Sequence, residues 1–229
     1  MRIATTIIAV LFFSSTALAA DSKLEASLKA AKERVAAMEA ELFAKEPLLK
    51  EAEAEYARMR HQTAADIKLG GRVSDFLESG GEAAKEKYQD LRGRAMAYYK
   101  TRLVQDPRHG PIMKSMIATE PRMRAGVAKQ VYGETPTPEQ IDDLDKLWNE
   151  FVSMQAKLQP RLLTSLERAE KESGFPDYVL QYTRLAAESK MLGDFLYFPY
   201  LQLKIPKELR DARAEVVNLT REVEINRRD

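Results

Sequence analysis

The chain of 229 residues contains no cysteine. That absence excludes disulfide cross-links, a thiol nucleophile, a cysteine-ligated zinc centre and a lipid-modified N-terminal cysteine, so packing alone must hold the fold. Histidine is nearly absent as well, with two residues, His61 and His109, too few for a histidine-rich zinc site. The positions three before them hold Arg58 and Asp106, so the Glu-x-x-His pairs of helical di-iron proteins are missing. There is no G-x-S-x-G, no Walker loop and no G-x-G-x-x-G, which removes the serine-hydrolase, P-loop and dinucleotide signatures. Repeats at tetratricopeptide-like spacing and runs alternating between apolar and polar residues are missing too, which leaves no candidate strand. Aromatics make up 8% and the net charge is only +1, so overall charge points to no partner.

Charge of both signs is abundant. Charged residues form 31% of the chain against about 25% in ordinary globular proteins, a balance that suits helices with much solvated surface. The N-terminus reads as an export signal: Arg2, an apolar run from Ile7 to Phe13, then Ala17-Leu18-Ala19 as a peptidase site. The run is shorter than the roughly 20 residues a membrane span needs. Residues 1–20 are therefore expected to be a cleaved signal peptide, and the mature chain a periplasmic or secreted soluble protein without a transmembrane segment. Residues 21–229 are expected to form a single elongated helical domain.

From Leu24 the apolar residues recur at spacings of four and three: Leu24, Leu28, Ala31, Val35, Met38, Leu42, then Leu49, Ala52, Tyr56 and Met59. This heptad seam predicts a helix lying lengthwise against a partner over residues 21–68, kinked or broken at Pro47, which has no N–H to bond the carbonyl of Phe43. Gly70-Gly71 and Ser79-Gly80-Gly81 bracket a short piece with Val73, Phe76 and Leu77, expected as a helical turn within a connection. A helix is predicted from Glu82 to Gln105, then two short helices ending at Gly133. Thr137-Pro138-Glu139-Gln140 has the form of a capping box opening a helix that ends at Gly174-Phe175-Pro176, with seam residues Ile141, Leu144, Trp148, Phe151, Leu158, Leu162 and Ala169 and a bend at Pro160. The chain returns through Tyr178, Tyr182, Leu185, Ser189 and Leu192. Pro206 starts a last helix with the seam Leu209, Ala212, Val216, Leu219 and Val223. The fold class is all-α: an elongated antiparallel helical bundle with long coiled-coil-like N- and C-terminal helices, whose seams pack on each other or find their copies in another chain.

Three regions are candidates for function. His109, Met113, Met116, Glu120 and Met123 share one side if the segment is a single helix, and imidazole with thioether sulfur suits copper(I); core packing also accounts for the methionines. Basic residues dominate from Arg92 to Lys129: Arg92, Arg94, Lys100, Arg102, Arg108, Lys114, Arg122, Arg124 and Lys129, against Asp106 and Glu120. Arg92, Arg94, Lys100, Arg102, Arg122 and Arg124 are the candidate contacts to an anionic surface or ligand. The acidic stretch of Glu134, Glu139, Asp142, Asp143, Asp145 and Glu150 offers an internal partner instead. Phe195, Tyr197, Phe198 and Tyr200 crowd into six positions, as a partner-binding patch or as a plug in the core. The Glu188-Ser189 pair resembles the Glu-Ser dipeptide of lytic transglycosylases, helical exported enzymes that cleave peptidoglycan with one carboxylic acid; the resemblance covers two residues, and the Gly-Leu-Met-Gln-like stretch expected downstream is absent.

These readings order the functions. First comes a non-enzymatic exported scaffold, adaptor or chaperone-like protein of an envelope or secreted assembly, self-associating or binding a protein partner through Leu28, Val35 and Leu42 and through the aromatic patch. A small-ligand or copper carrier built on His109, Met113 and Met116 is the alternative, and a peptidoglycan-acting enzyme with Glu188 as acid comes last. No cofactor and no nucleic acid are implied. A seam covered by the chain itself argues against the first; a pocket lined by His109 argues for the second.

Overall fold

A computed structural model describes the backbone of residues 3–61 and 64–227 and the side chains of residues 22–61 and 65–227. The expected signal sequence falls outside the described side chains. The chain is all-α, built from α1 (Ile3–Lys45), α2 (Pro47–Arg60), α3 (Ala64–Gln105), α4 (Gly110–Thr119), α5 (Pro121–Tyr132), α6 (Pro138–Asp142), α7 (Leu144–Ser173), α8 (Asp177–Lys190), a π-helical segment (Met191–Tyr197), α9 (Phe198–Lys204) and α10 (Lys207–Asn226). Among the described residues no helix is long and apolar enough to cross a membrane. Two compact units divide it, one of residues 1–47 and 204–229, the other of residues 48–203.

In the terminal unit α1 packs against α10. Ion pairs set the direction: Glu25 meets Arg227 at 2.8 Å, Arg34 meets Glu215, Glu39 meets Arg213 at 2.7 Å and Glu46 meets Lys204 at 2.9 Å, so partner numbers fall as those of α1 rise and the helices run antiparallel. The predicted seam of α10 and the first part of the predicted N-terminal seam, Leu24 to Leu42, lie on these two helices, whereas Leu49, Ala52, Tyr56 and Met59 belong to α2. Ala31, Leu209, Ala212 and Val223 are buried, and Leu24, Leu28, Val35, Met38, Leu42, Val216 and Leu219 are half-buried. The seam of each terminal helix is thus partly covered within the terminal unit. At Pro47 the helix breaks: α1 ends at Lys45, and the proline opens α2 at a position where its missing N–H has no intrahelical role.

The middle unit centres on α3, which packs along α7 and α8. Gly70 and Gly71, expected in a connection, lie inside the first half of α3, because helix and not turn is what lets Val73 reach the core. Gly70 is used for close approach: a β-carbon there would stand 3.1 Å from the Tyr182 hydroxyl. The reversal comes at Gly81, whose φ of 67° and ψ of −163° belong to a region that only glycine occupies without strain. The two halves of α3 then flank α8. Val73 and Tyr88, one from each half, form a buried cluster with Val179, edged by Phe76, Phe175 and Tyr182, while Leu91, Ala95 and Tyr99 pack with Leu166 and Ala187.

Two further expectations are corrected. The capping box at Thr137 and Gln140 forms, with the Thr137 amide donating to the Gln140 side chain at 2.8 Å, but its helix ends at Asp142, because Asp143 leaves helical geometry to cap α7 by accepting from the Lys146 amide at 3.0 Å. In α7 the buried stripe is Leu147, Phe151, Gln155 and Leu166, and Leu158 is exposed.

Candidate functional site

Within the middle unit, α2, the two halves of α3, α8, the π-helical segment and the turn from Asp106 to His109 enclose a cleft of about 1060 Å3, at the upper end of the roughly 300–1,000 Å3 typical of small-ligand sites. Each wall has a local cause. Arg92, Tyr99 and Leu103 follow one another at spacings of seven and four, one stripe along the second half of α3 that Asp106, just past its end, continues. On α8 and its continuation the lining stripe is Tyr182, Leu185, Ser189 and Leu192. Their spacing in the sequence marks the returning helix. The buried face of α8 is instead Val179, Thr183 and Ala187, and Leu185 is 54% exposed at the cleft.

His109 anchors the far wall. It is buried, and its Nδ1 lies 3.0 Å from the hydroxyl of buried Tyr197, the rings meeting edge to face at 5.8 Å. The turn that presents it is held by Asp106, whose carboxylate accepts from the Arg108 amide at 2.8 Å and whose carbonyl accepts from the His109 amide at 3.2 Å. Burial holds the imidazole below its ordinary value, against the opposing charge of Asp106, and pushes the Tyr197 phenol up to about 12. Burial also raises Asp106, but the Arg108 amide and the His109 and Arg108 charges outweigh it and leave the carboxyl low. Both partners of the buried hydrogen bond are therefore neutral near pH 7. Tyr197 ends a π-helical segment, a rare geometry that recurs at functional sites, and its residues Met191 to Asp194 line the cleft.

Charge in the cleft is partly compensated. Arg58 pairs with Glu55 at 2.5 Å, Arg108 with Asp106 at 3.7 Å and Lys190 with Asp194 at 2.8 Å. Arg60, Arg92 and Arg102 enter no ion pair among the described residues; Arg60 lies over the Tyr56 ring at 5.9 Å and Arg102 over Tyr99 at 5.7 Å. Half-buried Glu188, also in the lining, has no cation partner there.

The candidate residues from the sequence separate. Leu28, Val35 and Leu42 sit in the α1–α10 seam. Phe195 and Phe198 are 36% and 47% exposed, the first beneath the Lys100 ammonium at 5.3 Å and the second beside Tyr56 at 6.1 Å, whereas Tyr197 and Tyr200 are buried; the four rings are not one patch. Of the basic candidates only Arg92 and Arg102 reach the cleft. Arg94 is bound to Asp90 and Ser165, each at 2.8 Å; Arg124 donates to the Ile117 and Ala118 carbonyls; Arg122 is exposed on α5. Lys114 and Lys129 do meet the acidic stretch, at Asp145 (2.5 Å) and Glu134 (3.5 Å).

The single helix assumed for His109 to Met123 is interrupted, because Glu120 turns extended (φ −105°, ψ 106°) and accepts from the Arg122 amide to start α5. Met113 and Met116 are buried in α4, and no set of three or more His, Asp or Glu side chains suited to a metal occurs among the described residues. Arg60, Asp66 and Ile67 are among the lining residues that the sequence did not single out, and Leu185, named only as part of the returning helix, is another; no local pattern marks them. Compared with known proteins, the chain matches no family model, no curated protein and no solved structure.

Proposed function

We propose that the protein is an exported helical binding protein that holds a small ligand in the cleft of its middle unit. The observation that carries this reading is the cleft itself: a ligand-sized space whose wall joins His109, held from behind by buried Tyr197, the start of a π-helical segment and arginines without carboxylate partners. Export rests on the order of basic, apolar and small residues at the N-terminus. The scaffold reading is weakened, since α1 and α10 partly cover each other's seams; what remains for it is the half-buried seam residues and the exposure of Phe195 and Phe198.

Thermal melting of the mature protein against a panel of nucleotides, sugar phosphates, amino acids and aliphatic acids tests the proposal. At least one class raises Tm by several degrees, as mass action requires of a ligand present well above its Kd. Leu185→Trp, which fills the cleft from an exposed position, abolishes that shift, and Val217→Trp, exposed on α10, preserves it. A shift equal in all three proteins, or no shift with any class, overturns the proposal.

A further inference from the structure

The same cleft gathers two kinds of surface that ordinary packing would have hidden or neutralised. One is apolar. Val73 packs with Val179 and Gly70 lies against Tyr182, so the first half of α3 and α8 run antiparallel, and one turn further along the same register Ile67 comes opposite Leu185. Both line the cleft and are 61% and 54% exposed, while elsewhere in the unit large apolar side chains are mostly covered. Leaving two such side chains largely in water forgoes hydrophobic stabilisation that a ligand covering them would recover. The other surface is cationic: the lining sets Arg58, Arg60, Arg92, Arg102, Arg108 and Lys190 against Glu55, Asp66, Asp106, Glu188 and Asp194, an excess of one cation, and Arg60, Arg92 and Arg102 are the cations in no ion pair among the described residues. Guanidinium groups of this kind grip phosphate or carboxylate oxygens by paired N–H donors.

We infer that the ligand is an anionic amphiphile, a single aliphatic chain lying between Ile67 and Leu185 with a phosphate or carboxylate head reaching Arg92 and Arg102. This rests on the cleft being a ligand site and adds the class of ligand. A free phosphate offers nothing to the apolar pair, a cationic amphiphile is repelled by the arginines, and a sugar leaves Ile67 and Leu185 wet. The ligand enters as a monomer, since the arginines and the apolar pair face one cleft and not an outer surface.

Isothermal titration of the mature protein with decyl phosphate, below its micelle concentration, is the test, with decyltrimethylammonium and inorganic phosphate as comparisons. Decyl phosphate binds one to one; inorganic phosphate and decyltrimethylammonium bind roughly a hundredfold more weakly or not at all. Arg92→Gln and Arg102→Gln each weaken decyl phosphate about tenfold, the loss of one charge-assisted hydrogen bond. Ile67→Asp weakens it at least as much, with helicity and Tm showing that each variant is folded. Equal binding of the cationic amphiphile, or equal affinity in the arginine variants, overturns the assignment. Flotation with phosphatidylglycerol vesicles separates the sources: flotation that survives Leu185→Trp would mean a bilayer surface and not a cleft ligand, and also overturns it. If decyl phosphate fails but another panel compound gives a Leu185-dependent shift, the ligand class is wrong and the cleft reading stands; if no compound binds, both fall.

Discussion

His109 and Tyr197 come from positions 88 residues apart and share one buried hydrogen bond. Replacing Tyr197 with Phe keeps the ring and leaves the imidazole Nδ1 without its partner, which should cost roughly 1–3 kcal/mol in urea denaturation. The imidazole also makes stability depend on pH. Its folded value lies below the ordinary 6.5, so as the pH falls the unfolded chain takes up the proton first. The contribution is fully present above 6.5 and is lost as the pH drops from there through the lowered folded value. Glu55 and Asp106 are also lowered, from 4.5 and 3.8, and weaken the fold only in stronger acid. Tm should therefore begin to fall below pH 6.5 and His109→Gln should flatten that limb; equal slopes in both proteins would show that this histidine is not the cause. At this scale the sequence pointed to His109 but not to its hydrogen-bond partner. Met113 and Met116 share its helical spacing, whereas Tyr197 is remote in sequence and no local periodicity could pair them.

Helices carry the more legible part. Heptad spacing named the seam residues of α1 and α10, because a narrow two-helix contact leaves polar residues everywhere else and the pattern stays clean. The ion pairs along that contact give a direct check of its register. Reversing Glu39 to Arg should destabilise the unit by roughly 0.2–1 kcal/mol, and Arg213→Glu in the same chain should restore most of the loss, since both side chains are only about 30% exposed. Gly81 decides how α3 reverses. Gly81→Ala forces a side chain into a glycine-only conformation and should cost about 1–3 kcal/mol, visible as a lower urea midpoint. The sequence pattern failed where an element has more than one side. On α8 the stripe through Tyr182, Leu185 and Ser189 has proper helical spacing, but it lines a cleft, while Val179, Thr183 and Ala187 are buried between both halves of α3 and α7.

For the molecule as a whole, the helical class followed from composition and spacing, and the division into a terminal and a middle unit required the structure. The partial covering of the terminal seams by one another moves attention from self-association to the middle unit, where arginine, tyrosine and exposed aliphatic side chains share a ligand-sized space. Sequence alone did not reveal that space because its walls come from residues 55 to 194, brought together by the reversals at Gly81 and Gly174. Amide chemical-shift mapping of the labelled protein during titration with decyl phosphate examines this most directly. The largest changes should fall on residues 66–70, 92–109 and 182–194, with α1 and α10 unchanged. Saturable changes centred on α1 and α10, or on α5 and the exposed face of α7, would contradict a binding site in the cleft.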